Sequence, residues 1–259
     1  MRLPIHQVDA FTDRPFCGNP AAVMPLDQWL PDALLQYIAK ENNLSETAFF
    51  VPEGEGYRIR WFTPMNEVDL CGHATLASAF IILTELQPSW PRVALLSRSG
   101  PLAVARDGDR FRLDFPSRPP RSVPVPRGLE EALGARLLET WQSRDLVAVL
   151  DSERTVRELK PDMGAIAGLE AFGVVATAKG ESADFVSRFF VPKEGIPEDP
   201  VTGSTHCNLV PFWAERLGKT RMRALQVSPR GGELFCELKG DRVDIGGKAV
   251  KVLEGVFIL

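Results

Sequence analysis

Tyr57-Arg58-Ile59-Arg60-Trp61-Phe62-Thr63-Pro64 and Phe185-Val186-Ser187-Arg188-Phe189-Phe190-Val191-Pro192 stand 128 residues apart and read as one element written twice. Both alternate like a half-buried strand and both run into a proline, in the near-copies RWFTP and RFFVP. Each is followed by an acidic residue (Asp69, Asp199) and then by a glycine turn that opens a helix: Cys71-Gly72-His73-Ala74-Thr75 and Thr202-Gly203-Ser204-Thr205-His206. The offset there is 130 to 131 residues.

The agreement extends in both directions. Residues 76–86 and 209–217 carry helical apolar spacing, the second stretch ending at Gly218 as a helix cap would, with Pro211 read as lying in its first turns, where proline is tolerated. Short alternating strands with tight turns follow each helix, at 102–106 and 111–115 in one half and at 234–238 and 243–245 in the other. Upstream, a strand at 5–11, a helix near 32–40 and a strand near 47–51 are matched with 146–150, 162–167 and 172–176. Six elements recurring in order imply a duplicated α+β module. Between the copies, residues 116–126 hold five prolines and read as a semi-rigid linker. The boundary is set near residue 118, giving half-domains 1–117 and 118–259.

Composition limits the function. With 259 residues, 44% of them hydrophobic and 25% charged, the chain has enough apolar material for one large core or two modest ones. A net charge of −4 without a basic run argues against nucleic acid as a partner. The apolar stretch 77–83 is far too short to cross a bilayer and the N-terminus lacks a signal-type apolar region, so no membrane partner and a cytoplasmic location are expected. The four cysteines lie apart without a CxxC pair and are expected as reduced thiols.

The chemistry should gather at the two glycine turns, because a glycine before a helix lets the backbone approach a ligand and the N–H groups of the first turn favour an anion. N-capping by Thr202 or Ser204 would explain one hydroxyl, but not a histidine directly after Gly72 or three polar residues after Gly203. Glu46 enters an apolar strand in the run Leu44-Ser45-Glu46-Thr47-Ala48-Phe49-Phe50, where a carboxylate would be partly desolvated, as suits a general base. On local sequence alone a solvated loop residue is the better reading of Glu46. Its counterpart, placed near Glu170 or Ala171, breaks the repeat, and such asymmetry suits an asymmetric proton transfer. Cys71 and Thr202 occupy matching positions, so a two-thiol racemase lacks its second thiol and Cys71 reads as a small packed side chain. His6, His73 and His206 show no ligand spacing with one another or with cysteines, and no GxGxxG, phosphate loop or pyridoxal lysine is present, so neither metal nor cofactor is expected.

Together VDAFTDRPFCGNPAAV, ENNLSETAFF, RWFTPMNEVDLCGHATLASAF, EDPVTGSTHCNLVPFWAERLG and VSPRGGEL, spanning residues 8–234, resemble the PhzF-like phenazine-biosynthesis family. The resemblance implies a diaminopimelate-epimerase-like fold: two pseudo-symmetric α+β halves, each a curved sheet or open barrel around a central helix. It implies Glu46 as the acid/base that takes a proton from one carbon of a cyclic hydroxy-amino acid and returns it to another, the namesake reaction being isomerisation of trans-2,3-dihydro-3-hydroxyanthranilate. By the same resemblance His73, Asp199 and Ser204 bind or polarise the substrate, with Gly72, Gly203, Ser45 and Thr202 beside it, and a homodimer is expected. The leading expectation is a cofactor-independent isomerase acting on a small cyclic amino or hydroxy carboxylate. Two readings compete with it: an amino-acid racemase or epimerase using Cys71, and a ligand-binding relative without chemistry.

Overall fold

The computed structural model describes residues 1–259, which divide into two compact units, 1–114 with 246–259 and 115–245.

The first unit runs β1 (Arg2–Ala10), β2 (Asn19–Pro25), α1 (Asp32–Asn42), β3 (Glu46–Glu53), β4 (Gly56–Phe62), β5 (Glu67–Val68), α2 (Gly72–Ile81), β6 (Arg92–Ser97), β7 (Gly100–Asp107) and β8 (Arg110–Pro116). β1–β2, β3–β4, β6–β7 and β7–β8 are antiparallel, whereas β2–β3 and β4–β6 are parallel. Each parallel pair is joined by a helix, as a crossover requires. Nine of the ten residues of α2 are buried, and it packs against β1, β2 and β3. An apolar circumference of this kind belongs at the centre of a sheet that curves around it. The hydroxyl of Ser78 returns to the carbonyl of Ala74 at 2.8 Å, so even the polar residues of this helix need no solvent.

The second unit repeats the plan: β9 (Arg121–Val123), α3 (Leu129–Leu133), β10 (Glu139–Gln142), β11 (Leu146–Val149), α4 (Glu153–Glu158), α5 (Met163–Ala167), β12 (Val174–Lys179), β13 (Phe185–Val191), β14 (Ile196–Asp199), α6 (Gly203–Leu217), β15 (Arg221–Gln226), β16 (Gly232–Lys239) and β17 (Arg242–Gly247). The parallel pairs recur at the same places, β11–β12 and β13–β15. The duplication reaches the side chains. Arg60 of β4 forms a two-pronged ion pair with Glu67 (2.7 and 2.8 Å), and Arg188 of β13 forms one with Glu198 (2.7 and 2.8 Å). Each guanidinium also lies over the phenylalanine two residues on, Phe62 at 5.1 Å and Phe190 at 5.0 Å.

Four details differ from the sequence expectation. The last strand, β18 (Ala249–Ile258), returns to the first unit and pairs along β1, so that unit is not 1–117 and the second does not run to 259. The proline-rich stretch is not wholly a linker, because β9 within it pairs with β10. β18 and β9 thus fill the same place, β18 lying along β1 and β9 along β10. The match at the start of the repeat also shifts. Residues 146–149 pair parallel with β12 as β2 pairs with β3, so they correspond to β2, and the counterpart of β1 is β10. Finally, α6 starts at Gly203, so Pro211 is its ninth residue and lies mid-helix. Proline cannot donate to the carbonyl of Cys207, and the N–H of Arg118 takes that carbonyl at 2.9 Å instead.

Candidate active site

Glu46 is the first residue of β3 and lies opposite Ala21 of β2. The turn that delivers it is tight: α1 ends at Asn43 in the left-handed conformation (φ 48°), its N–H bonded to the carbonyl of Ala39. The carboxylate is 15% exposed, and its Oε2 lies 3.1 Å from Nε2 of His73. No other protein donor reaches Oε2.

His73 is the second residue of α2 and is 4% exposed. Its Nδ1 lies 3.1 Å from Nδ2 of the buried Asn19, at the start of β2. The sulfur of Cys71 is 3.5 Å from Nδ1 and 3.9 Å from Nε2. Burial works against a charge on His73, and the neighbouring Glu46 carboxylate works against burial and raises its pKa above the ordinary imidazole value. The Cys71 thiol is itself pushed up to about 11, first by burial and then by Glu46. It is therefore a neutral thiol around pH 7, and Glu46 is the counter-charge of the imidazolium. Cys71 stands ahead of α2 in an extended conformation, and its side chain does not cap the helix.

The second unit builds the start of α6 differently. Thr202 stands ahead of it, and its hydroxyl does not cap the helix, as the simplest reading of the sequence would have it, but donates to the Asp199 carboxylate at the end of β14. Gln226 locks this corner: its Oε1 accepts the N–H of Thr202 at 2.8 Å, and its Nε2 donates to the carbonyl of Asp199 at 2.8 Å and to the Thr202 hydroxyl at 3.2 Å. Ser204, half-buried in the first turn, accepts a hydrogen bond from Nη2 of Arg144 at 3.2 Å. His206 turns inward instead. Its Nδ1 bonds the carbonyl of Thr202 at 2.8 Å, its ring packs on Phe185, and burial pushes its pKa down to about 4.

Of the residues expected at a site, Glu46, Gly72 and His73 meet in the first unit, and Asp199, Thr202, Gly203 and Ser204 meet in the second. Ser45 is half-buried just ahead of β3, and its hydroxyl takes no part in the Glu46–His73 cluster. The counterpart of Glu46 is not Glu170 or Ala171. Phe62 pairs with Thr47 and Phe190 with Val174, which makes Gly173 the equivalent of Glu46. A Cβ there would lie 2.6 Å from the Phe189 ring, so the repeat leaves no room for a second carboxylate at that position. Linear spacing also misled on metal ligands. Donor atoms of Glu46, Cys71 and His73 lie within 4.8 Å of one another, as do those of His6, Glu85 and Glu254, because strand pairing and helix docking unite residues distant in the chain. In the first set a metal would have to displace a thiol proton held to about pH 11, and in the second Lys251 already pairs with both glutamates.

The sequence profile of the family described as phenazine biosynthesis-like protein matches residues 8–255. The chain belongs to this family. It is 54% identical over 256 residues, 98% of each chain, to a Pseudomonas aeruginosa protein named as an uncharacterized isomerase. The crystal structure of an Enterococcus faecalis phenazine biosynthesis protein of the PhzF family superposes with a TM-score of 0.98 at 50% identity over 100% of both chains. A probable proline racemase from Agrobacterium radiobacter, 10% identical with a TM-score of 0.66 over 99% of this chain and 93% of that one, shares the fold alone. The PhzF-like, diaminopimelate-epimerase-like α+β architecture expected from the sequence is therefore the observed one. In this phenazine biosynthesis-like chain, sequence reasoning missed Asn19, Gln226 and Arg144. Asn19 stands in the CGNPAAV block, whose likeness to the family was the one available signal; Gln226 and Arg144 carried none. No helix is long and apolar enough to cross a membrane.

Proposed function

We propose that this protein is a cofactor-independent isomerase that moves a proton on a small cyclic amino or hydroxy carboxylate by general acid/base catalysis. The observation that carries the reading is the Glu46 carboxylate, 15% exposed, with its Oε2 3.1 Å from Nε2 of the buried His73. Glu46 takes a proton from one carbon of the substrate, and the electron pair left behind delocalises through the adjoining unsaturation. Glu46, now protonated, returns the proton to a second carbon. His73 holds the Glu46 side chain in place through both steps, and the N–H groups of Gly72 and His73 suit the charge that develops on the substrate. In the other unit Asp199, Thr202, Gly203 and Ser204 take the substrate-binding and polarising roles that the family resemblance implies, and the protein acts as a homodimer on a dihydro-hydroxyanthranilate-type substrate.

A single base is favoured over the two-base racemase reading. Cys71 is a neutral thiol, Thr202 stands at its matching position, and Gly173 stands at that of Glu46. The test follows product formation and deuterium uptake by NMR in D2O for a panel of cyclic and acyclic amino and hydroxy carboxylates, with Glu46→Gln alongside. Conversion by the wild type and none by Glu46→Gln supports the isomerase. Tight binding with no exchange for any compound would instead mark a binding protein, and loss of activity in Cys71→Ser but not in Glu46→Gln would return the racemase.

A further inference from the structure

The head of α6 carries a second layer that the proposed mechanism does not use. Asp145, just ahead of β11, is completely buried, and its Oδ2 accepts hydrogen bonds from Thr205 Oγ1 at 3.0 Å and Asn208 Nδ2 at 3.0 Å, one turn apart on α6. A buried carboxylate tied to two side chains of one helix fixes its loop to that helix. The adjacent Arg144 is fixed in turn. Its Nε bonds Asp145 Oδ1 at 3.0 Å, its guanidinium lies 4.4 Å from the centre of the Phe172 ring, and its Nη2 reaches Ser204 Oγ at 3.2 Å.

This arrangement dictates what Ser204 can do. A hydroxyl has one proton to give and two lone pairs to receive with. Arginine can only donate, so its bond occupies a lone pair of Ser204 and leaves the hydroxyl proton for another acceptor. No protein acceptor for that proton lies within hydrogen-bonding distance, and the positive charge beside the oxygen favours an anionic partner.

We propose that Arg144 is a positioning and specificity residue: held by Asp145 and Phe172, it orients Ser204 as a donor toward an anionic oxygen, so that the protein selects carboxylates over neutral isosteres. The inference rests on the reading that the substrate is a carboxylate, but its test needs no turnover. Binding of 2-aminobenzoate and of its neutral counterpart 2-aminobenzamide is measured by calorimetry on the full chain. The wild type is expected to prefer the carboxylate by tenfold or more. Arg144→Gln and Ser204→Ala should each remove most of that preference with the amide affinity unchanged, and the double variant should lose no more than either single one, because Arg144 acts through Ser204. Since Arg144→Gln leaves Asp145 without its cation, Arg144→Lys serves as the second variant. Its ammonium can answer Asp145 but lacks the fork to reach Ser204 as well, so the preference should again fall several-fold in a folded protein. The same ratios measured in Glu46→Gln, expected to match the wild type, separate this inference from the acid/base assignment. In an exchange assay Arg144→Gln should raise KM with little change in kcat. A wild type that binds both compounds equally, a preference that survives in Arg144→Lys and Arg144→Gln, or losses that multiply in the double variant would each overturn the proposal.

Discussion

The heads of α2 and α6 are the same backbone device with opposite contents. Aligned on their glycines, His73 matches Ser204 and Thr75 matches His206. The fourth position keeps one structural task in both: Thr75 donates its hydroxyl to the carbonyl of Cys71, and His206 bonds the carbonyl of Thr202 through Nδ1. The second position differs, an imidazole beside a carboxylate in one unit and a hydroxyl beside a guanidinium in the other. Duplication preserved the fold of the helix start, and the second position, free of that task, carries different chemistry in the two units. A histidine at such a start is therefore not diagnostic in itself; its partner decides its charge.

The largest effect expected from breaking this contrast is in Glu46→Gln, which should lower deuterium exchange by about a thousandfold, within the range for loss of a general acid/base, while circular dichroism is unchanged. The next concerns His206. Its folded pKa, about 4, lies below the ordinary 6.5, so the unfolded chain binds the proton more readily between those values and stability must fall as the pH falls through that window. The full cost is about 3 kcal/mol, visible as a lower urea midpoint at pH 4 than at pH 7. A His206→Gln variant should lose that part of the slope, and an unchanged slope would mean His206 is protonated when folded.

His73 should behave in the reverse sense. Its pKa is raised, so its contribution to stability is complete below 6.5 and is lost as the pH rises through the folded value. Titration of its ring protons by NMR should show a charge persisting above pH 6.5, and Glu46→Gln should bring the midpoint down by about one to three units, as removal of an adjacent opposite charge does. The smallest effect is expected for Cys71→Ser. A buried thiol with a pKa near 11 is a poor nucleophile and a poor base, so exchange should change by less than about tenfold and iodoacetamide should label it slowly. Rapid labelling with loss of activity would transfer the chemistry from Glu46 to Cys71.

The repeat was legible because strand alternation and the glycine before each helix are local, and each copy wrote them separately. The family resemblance brought Glu46 and His73 forward, whereas local sequence left Glu46 as a loop residue. What escaped notice was nonlocal. The Asn19–His73 contact spans 54 residues and the Arg144–Ser204 contact spans 60, and neither leaves a pattern in a linear reading. Pro211 looked like a helix-start residue because nothing in the sequence announces that Arg118 will take the carbonyl that proline abandons.

By itself the sequence determined the period of each element, the two glycine turns and the duplicated order, since these follow from side-chain alternation and backbone freedom within a few residues. The tertiary structure alone decided that the C-terminal strand completes the first unit, that Gly173 stands at the position matching Glu46, and in which direction burial and neighbours move each histidine's pKa. The reason is physical: open strand edges, buried volume and the charge on an imidazole are set by neighbours that approach only when the chain has folded.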